Sequence, residues 1–186
     1  MEIRQKIPDL MATAYHENDF KEIQLSDYRG KWLVLAFYPA DFTFVCPTEL
    51  EELAKLYPQF QEAGAEILSV STDTHFTHMA WHMSSPAIGK VKYPMLGDAN
   101  HAISKAFGTL NQDKGESFRA TFIVDPEGVV KYKSIHDNSI GRSANEILRM
   151  LKAARYASEH EGEVCPASWE PGDETLMEGP DLVGKI

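Results

Sequence analysis

The chain holds 186 residues, 43% of them apolar, and carries a formal net charge of −10. That length suits one domain with an extension, and the apolar share suits a soluble core. The acidity and the lack of a dense Lys/Arg stripe argue against nucleic acid as a partner, and no apolar run nears the ~18 residues of a membrane helix.

The N-terminal stretch MEIRQKIPDLMATAYHENDF lacks the apolar core of a secretory signal. A cytoplasmic address follows as the expectation. Two cysteines in a reducing compartment are poorly explained as a structural disulfide. KWLVLAF (31–37) reads as a buried strand, short and continuously apolar. From Cys46 to Ala63 the pattern is helical, with Leu50, Leu53, Tyr57 and Phe60 on one face and Gly64 as the stop. Pro58 lies inside that pattern and predicts a kink or a division into two helices.

AEILSVS (65–71) is the next buried strand, and Asp73 or Thr74 is positioned to cap a helix that ends before Pro86. YPMLGD (93–98) predicts a short strand and HAISKAF (101–107) a short helix stopped by Gly108. RATFIVD (119–125) and VVKYKSI (129–135) flank Pro-Glu-Gly, a hairpin pattern. SANEILRMLKAARYASEH (143–160) is the clearest helix, with Ser143 and Glu146 at capping-box spacing. Its Arg149, Lys152 and Arg155 read as a solvated face. The order predicts an α/β fold with a mixed sheet over residues 1–160. Residues 161–186, rich in Pro, Gly and acids, read as an extended arm.

Cys46 stands where a helix begins, with Pro47 suited to the first helical position. Helix N-termini favour the thiolate form of a cysteine, the form that attacks. Position alone leaves two readings open, a nucleophile or a small buried hydrophobe. Glu49 sharpens the question, because a carboxylate three residues on disfavours a neighbouring thiolate. A reactive Cys46 therefore needs a cation, and Arg119 at a strand start is a candidate. His75, His78 and His82 share a helical face, at a spacing that suits metal binding or, better, surface or interface polar groups beside Trp81. Phe42, Phe44 and Val45 suit an apolar collar or ordinary core.

The segment PADFTFVCPTEL resembles the active-site motif of the peroxiredoxins. SVSTDTHFTHMAWH, RATFIVDPEG and GRSANEILRMLKAARY resemble their later segments, and EVCPASW resembles the resolving site of two-cysteine members. The ending DLVGKI points to the bacterial alkyl hydroperoxide reductase branch. The resemblance covers nearly the whole chain. It implies a thioredoxin-like fold, with a central mixed β-sheet flanked by helices and a C-terminal arm, and a thiol peroxidase that reduces hydrogen peroxide and alkyl hydroperoxides. By the same resemblance Cys46 is the peroxidatic cysteine, Thr43 bonds sulfur and peroxide, and Pro39 shields the pocket. Arg119 stabilises the thiolate, Glu49 positions that arginine, and Arg142 stands behind the site. Cys165 is the resolving cysteine, forming an interchain disulfide in a homodimer that assembles into a ring of five dimers.

The resemblance implies no bound cofactor or metal. Electrons come from an external NADH-dependent flavoprotein disulfide reductase, with thioredoxin as the rival donor. The chain departs from easily overoxidised members: DKGES (113–117) stands where a Gly-Gly-Leu-Gly segment would lie, and no Tyr-Phe helix closes the C-terminus. Fast resolution and rare overoxidation are therefore expected. Two other classes remain in view. A thiol–disulfide oxidoreductase would need Cys-x-x-Cys where this chain has Cys-Pro-Thr-Glu. A ring-shaped holdase would need its activity to survive loss of Cys46.

Overall fold

The computed structural model describes residues 1–184, so the last two residues of DLVGKI lie outside it. Its centre is a seven-stranded mixed sheet, built outward from β3 (Trp32–Phe37). All six residues of β3 are apolar and buried. A strand with no polar face needs cover above and below and a neighbour on each edge. β4 (Ala65–Ser71) supplies one neighbour in parallel and β8 (Arg119–Val124) the other in antiparallel. The full order is β2 (Asp19–Gln24), β1 (Met11–His16), β5 (Met95–Gly97), β4, β3, β8 and β9 (Val130–His136).

Alternation along β3 divides the core in two. Trp32, Val34, Ala36 and Tyr38 pack under α1 (Cys46–Glu62), α2 (His75–Ser84) and α4 (Ala144–Glu159). Leu33, Leu35 and Phe37 face the other side, where α3 (Ala102–Phe107) supplies Ile103 and Phe107. Burying a large apolar side chain stabilises by roughly 1.5–3 kcal/mol, so β3 alone commits the chain to helices on both faces. Among the described residues no helix is long and apolar enough to cross a membrane.

Pro58 does not divide α1, which runs unbroken from Cys46 to Glu62. Leu50, Leu53, Tyr57 and Phe60 are all buried on one face, and that packing outweighs the lost hydrogen bond. Gly64 then turns the chain with φ of +76°. Thr74, not Asp73, caps α2 by accepting the Thr77 N–H. The Ser143 cap of α4 is half of the expected box: its hydroxyl accepts the Glu146 N–H, while the Glu146 carboxylate pairs with Arg149. The β8–β9 hairpin forms as expected, its turn held by Asp125 accepting the Val129 N–H at 2.8 Å.

The β1–β2 hairpin escaped the sequence reading. Its turn is Glu17-Asn18, both at positive φ, and lacks the glycine that usually marks such turns. Four short strands also went unread: β6 (Leu110–Asn111) pairs with β7 (Glu116–Ser117), and β10 (Glu163–Val164) with β11 (Leu176–Met177). Around Trp169 the C-terminal arm packs on α4. Trp169 is only 3% exposed, its ring 5.0 Å from that of Tyr156. Arg149, expected on a solvated face, donates to the Trp169 carbonyl at 2.9 Å.

Candidate active site

The register of the sheet assembles the site. β3 and β8 run antiparallel, and their last pair is Phe37 with Ala120. Arg119 therefore falls at the end of β3 from which the chain departs toward Cys46. Cys46 is itself the first residue of α1 and Pro47 the second, where an absent N–H costs nothing. The Cys46 residue is fully buried. Arg119 Nη1 donates to Cys46 Sγ at 3.2 Å and to Glu49 Oε2 at 2.9 Å.

Glu49 forms no capping box. One turn into α1, it lies beneath both arginines. Arg142 donates from its backbone N–H and Nε to Glu49 Oε1 at 2.7 and 2.9 Å, and from Nη2 to Oε2 at 2.9 Å. Arg142 Nη1 is spent on the Ala120 carbonyl and the Thr121 hydroxyl. Burial pushes the Glu49 carboxyl up, but hydrogen bonds and charge from Arg142, with Arg119 beside it, hold it below the usual carboxylate range. Two guanidiniums thus face one carboxylate out of water. The buried cluster reaches neutrality only when a second negative charge, on the sulfur, joins it.

The loop between β3 and α1 is held from below. The Asp41 carboxylate accepts the Tyr38 hydroxyl at 2.7 Å and sits 2.7 Å from His78 Nδ1. His78 Nε2 lies 3.1 Å from the Leu96 carbonyl. A carbonyl only accepts, so Nε2 carries a hydrogen, and one further hydrogen lies between Nδ1 and the Asp41 carboxyl. Burial pushes the Asp41 carboxyl up while its bond to His78 and the charge there draw it back, so the two side chains share one tightly coupled hydrogen bond. Burial pushes His78 down, but its bond to Asp41 and that carboxylate's charge more than offset this and raise it. Of the expected surface or interface roles the surface one fails for His78, which is fully buried with Asp41 and the Leu96 carbonyl as its partners. His82 bonds the Val91 carbonyl, and the His75 ring packs 4.8 Å from that of Phe20. Among the described residues no His, Cys, Asp and Glu group is placed to hold a metal.

Asp73 secures the other side of the loop. Its carboxylate accepts the Asp41 N–H at 2.9 Å and the Ser71 hydroxyl at 2.6 Å. Gly97 on β5 lets this segment close in, since a Cβ there would stand 2.7 Å from the His75 nitrogen. Between these anchors Phe42 adopts φ of +55°, a left-handed conformation that costs a bulky residue about 1–3 kcal/mol. Phe42 and Phe44 are exposed, so they are not ordinary core. Pro39 is buried in the loop and Thr43 half-buried. The Thr43 hydroxyl donates to the Ala40 carbonyl at 2.8 Å rather than to the sulfur.

Cys46, Glu49, Arg119 and Arg142 are thus brought together, with Pro39 and Thr43 on the loop that leads to them. Cys165 is not. It lines a separate cleft of about 390 Å³ with Met150, Ala153 and Ala157 of α4, and both thiols are free. Burial, with the Glu163 carboxylate nearby, pushes the Cys165 thiol up. The sequence reading missed Tyr38, Asp41 and Asn138. The first two sit in a loop whose polar residues carry no spacing signal. Asn138 accepts the Arg119 backbone N–H and, through its carbonyl, the Nε–H.

A thioredoxin-like sheet with a buried cysteine at a helix start, faced by a guanidinium, defines a thiol-dependent oxidoreductase. Comparison with known proteins narrows the class. Residues 3–133 match the AhpC/TSA family, and residues 153–181 match the C-terminal domain of 1-Cys peroxiredoxin. Alkyl hydroperoxide reductase C of Amphibacillus xylanus is 51% identical over 185 residues, covering 99% of this chain and 98% of that protein. Its counterpart in Pseudomonas aeruginosa is 48% identical over 184 residues, with the same two coverages. The crystal structure of Enterococcus faecalis AhpC superposes with a TM-score of 0.86 at 46% identity, covering 88% of this chain and 98% of that one. A reduced 2-Cys peroxiredoxin of Plasmodium vivax gives 0.89 at 37% identity, covering 93% and 91%. The chain belongs to the AhpC/TSA family of peroxiredoxins.

Proposed function

We propose that the protein is a two-cysteine thiol peroxidase for hydrogen peroxide and alkyl hydroperoxides, with Cys46 as its nucleophile. The observation that carries this is Arg119 Nη1 at 3.2 Å from Cys46 Sγ, in a cluster where Glu49 leaves one positive charge uncompensated. The Cys46 thiolate attacks one peroxide oxygen. The S–O bond forms as the O–O bond breaks, and the departing oxygen takes a proton and leaves as alcohol or water. Sulfur is oxidised to sulfenic acid. Fixed donors stabilise charge that spreads from sulfur to the departing oxygen. Arg119 is such a donor and Pro39 the screen, and the Thr43 hydroxyl joins them once it turns from the Ala40 carbonyl. Glu49 orients Arg119, and Arg142 holds Glu49.

Cys165 of a second copy then attacks the sulfenic sulfur, forming an S–S bond and releasing water. Cys46 is fully buried, so that thiol reaches it only after the first turn of α1 opens. Cys165 must likewise leave its cleft beside α4. Residues 1–160 form the peroxidase domain and the arm carries the resolving thiol. An NADH-dependent flavoprotein disulfide reductase returns the disulfide to two thiols, with thioredoxin as the alternative donor. The homodimer assembles into a ring of five dimers and works in the cytoplasm.

The test uses Cys46→Ser and Cys165→Ser proteins on non-reducing gels after one equivalent of peroxide. Wild type gives a disulfide-linked dimer, Cys46→Ser no peroxide consumption, and Cys165→Ser one turnover without that dimer. Normal turnover in Cys46→Ser would defeat the assignment.

A further inference from the structure

Arg119 must hold one face toward sulfur, and an arginine side chain is long and freely rotating. Glu49 fixes Nη1, the same atom that faces Cys46. A single anchored nitrogen leaves the guanidinium plane free to pivot about it. The other end, Nε, is held by one group, the Asn138 carbonyl at 2.9 Å. The Asn138 side chain decides where that carbonyl lies. Its Oδ1 accepts the Arg119 backbone N–H at 3.1 Å, tying residue 138 to the start of β8. Its Nδ2 donates to Glu116 Oε1 at 3.1 Å and, more weakly, to the Ser117 carbonyl at 3.5 Å.

An amide suits this place because it accepts at one end and donates at the other. A carboxylate would repel Glu116, and an ammonium could not accept from Arg119. The turn is also closed locally, with Asp137 accepting the Ser139 N–H at 2.8 Å and its hydroxyl at 2.5 Å. A continuous path therefore runs from Glu116 on β7, through Asn138 and Arg119, to Cys46.

We infer that Asn138 is a positioning residue for the peroxide step: it sets the Arg119 guanidinium against Cys46, and Glu116 holds Asn138 in turn. This rests on the reading of Arg119 as the cation that serves sulfur in that step.

The test is rapid mixing of the reduced full-length protein with hydrogen peroxide. It follows the second-order loss of thiolate and, separately, the first-order disulfide step with Cys165. Asn138→Ala slows the peroxide step about 5–10-fold, the scale of one lost hydrogen bond, and leaves the disulfide step unchanged. Glu116→Ala slows it less. Glu116→Gln keeps an accepting oxygen and matches wild type. The Asn138→Ala, Glu116→Ala double variant is no slower than Asn138→Ala alone, because the two act through one path.

Arg119→Ala separates the two readings. If it is slow while Asn138→Ala reacts at the wild-type rate, the inference about Asn138 falls alone. If Arg119→Ala itself reacts normally, the reading beneath it falls. Should Asn138→Ala fail to fold, the Glu116 pair carries the test, and equal wild-type rates in Glu116→Ala and Glu116→Gln would overturn it. A change that slows both steps alike would also overturn it.

Discussion

Replacing Glu49 by Gln keeps the shape of the side chain and removes one charge from a cluster with almost no water. Glu49 receives four hydrogen bonds, three from Arg142 and one from Arg119. A glutamine oxygen can keep the two at Oε1, but its NH2 then points at two guanidinium donors. Two charge-assisted bonds vanish and two buried cations lose their counter-ion, a loss of about 3–5 kcal/mol. For a chain of this size each kcal/mol moves Tm by about 2–4 °C, so a fall on the order of 10 °C is expected at pH 7. The pH dependence has a definite sign. The folded carboxyl is held below its ordinary value. Its contribution is therefore present above the ordinary carboxylate pKa of about 4.3 and is lost as pH falls through the lowered value. The gap between wild type and Glu49→Gln should narrow on acidification. Thermal unfolding from pH 3 to 7 measures this, and rapid mixing with peroxide measures the accompanying loss of rate. A variant that melts within 1 °C of wild type at pH 7 would refute the charge accounting at the site.

Three further outcomes are expected. His78 is raised by Asp41, so the pair's stabilisation is present below the ordinary histidine pKa of about 6.5 and is lost as pH rises through the raised value; chemical denaturation should show the stability advantage over His78→Gln shrinking as pH rises. Trp169→Ala removes the buried anchor of the arm, so limited proteolysis should cut after α4 at least several-fold faster, while the peroxide step keeps its rate; protection equal to wild type would argue against the anchor. Mass spectrometry of Cys46 under rising peroxide should show disulfide well before sulfinic acid, and sulfinic acid at low peroxide would contradict rapid resolution.

Much of the fold was legible because its signals are local. WLVLAF, AEILSVS and RATFIVD are short apolar runs bounded by breakers, and they became β3, β4 and β8. The β1–β2 hairpin was not, since Glu17-Asn18 supplies positive φ without glycine. The cysteine at the helix start was readable from sequence, and so was its need for a cation. Spacing alone left Arg119 only a candidate, and the resemblance singled it out, because Cys46 and Arg119 meet through the β3–β8 register. His78 was misread because helical spacing shows a shared face but not that Asp41 waits behind it. Glu49 looked like a cost beside a thiol, and two arginines from distant segments turn it into a support.

The central claim is that Cys46 is the atom-transfer site and Arg119 its charge partner. Rapid mixing of reduced wild type, Cys46→Ser and Arg119→Ala with hydrogen peroxide tests it most directly. Fast consumption by wild type, none by Cys46→Ser and a rate at least tenfold lower for Arg119→Ala are predicted, since a tenfold change corresponds to roughly 1.4 kcal/mol of lost transition-state stabilisation. Equal consumption by all three proteins would contradict it.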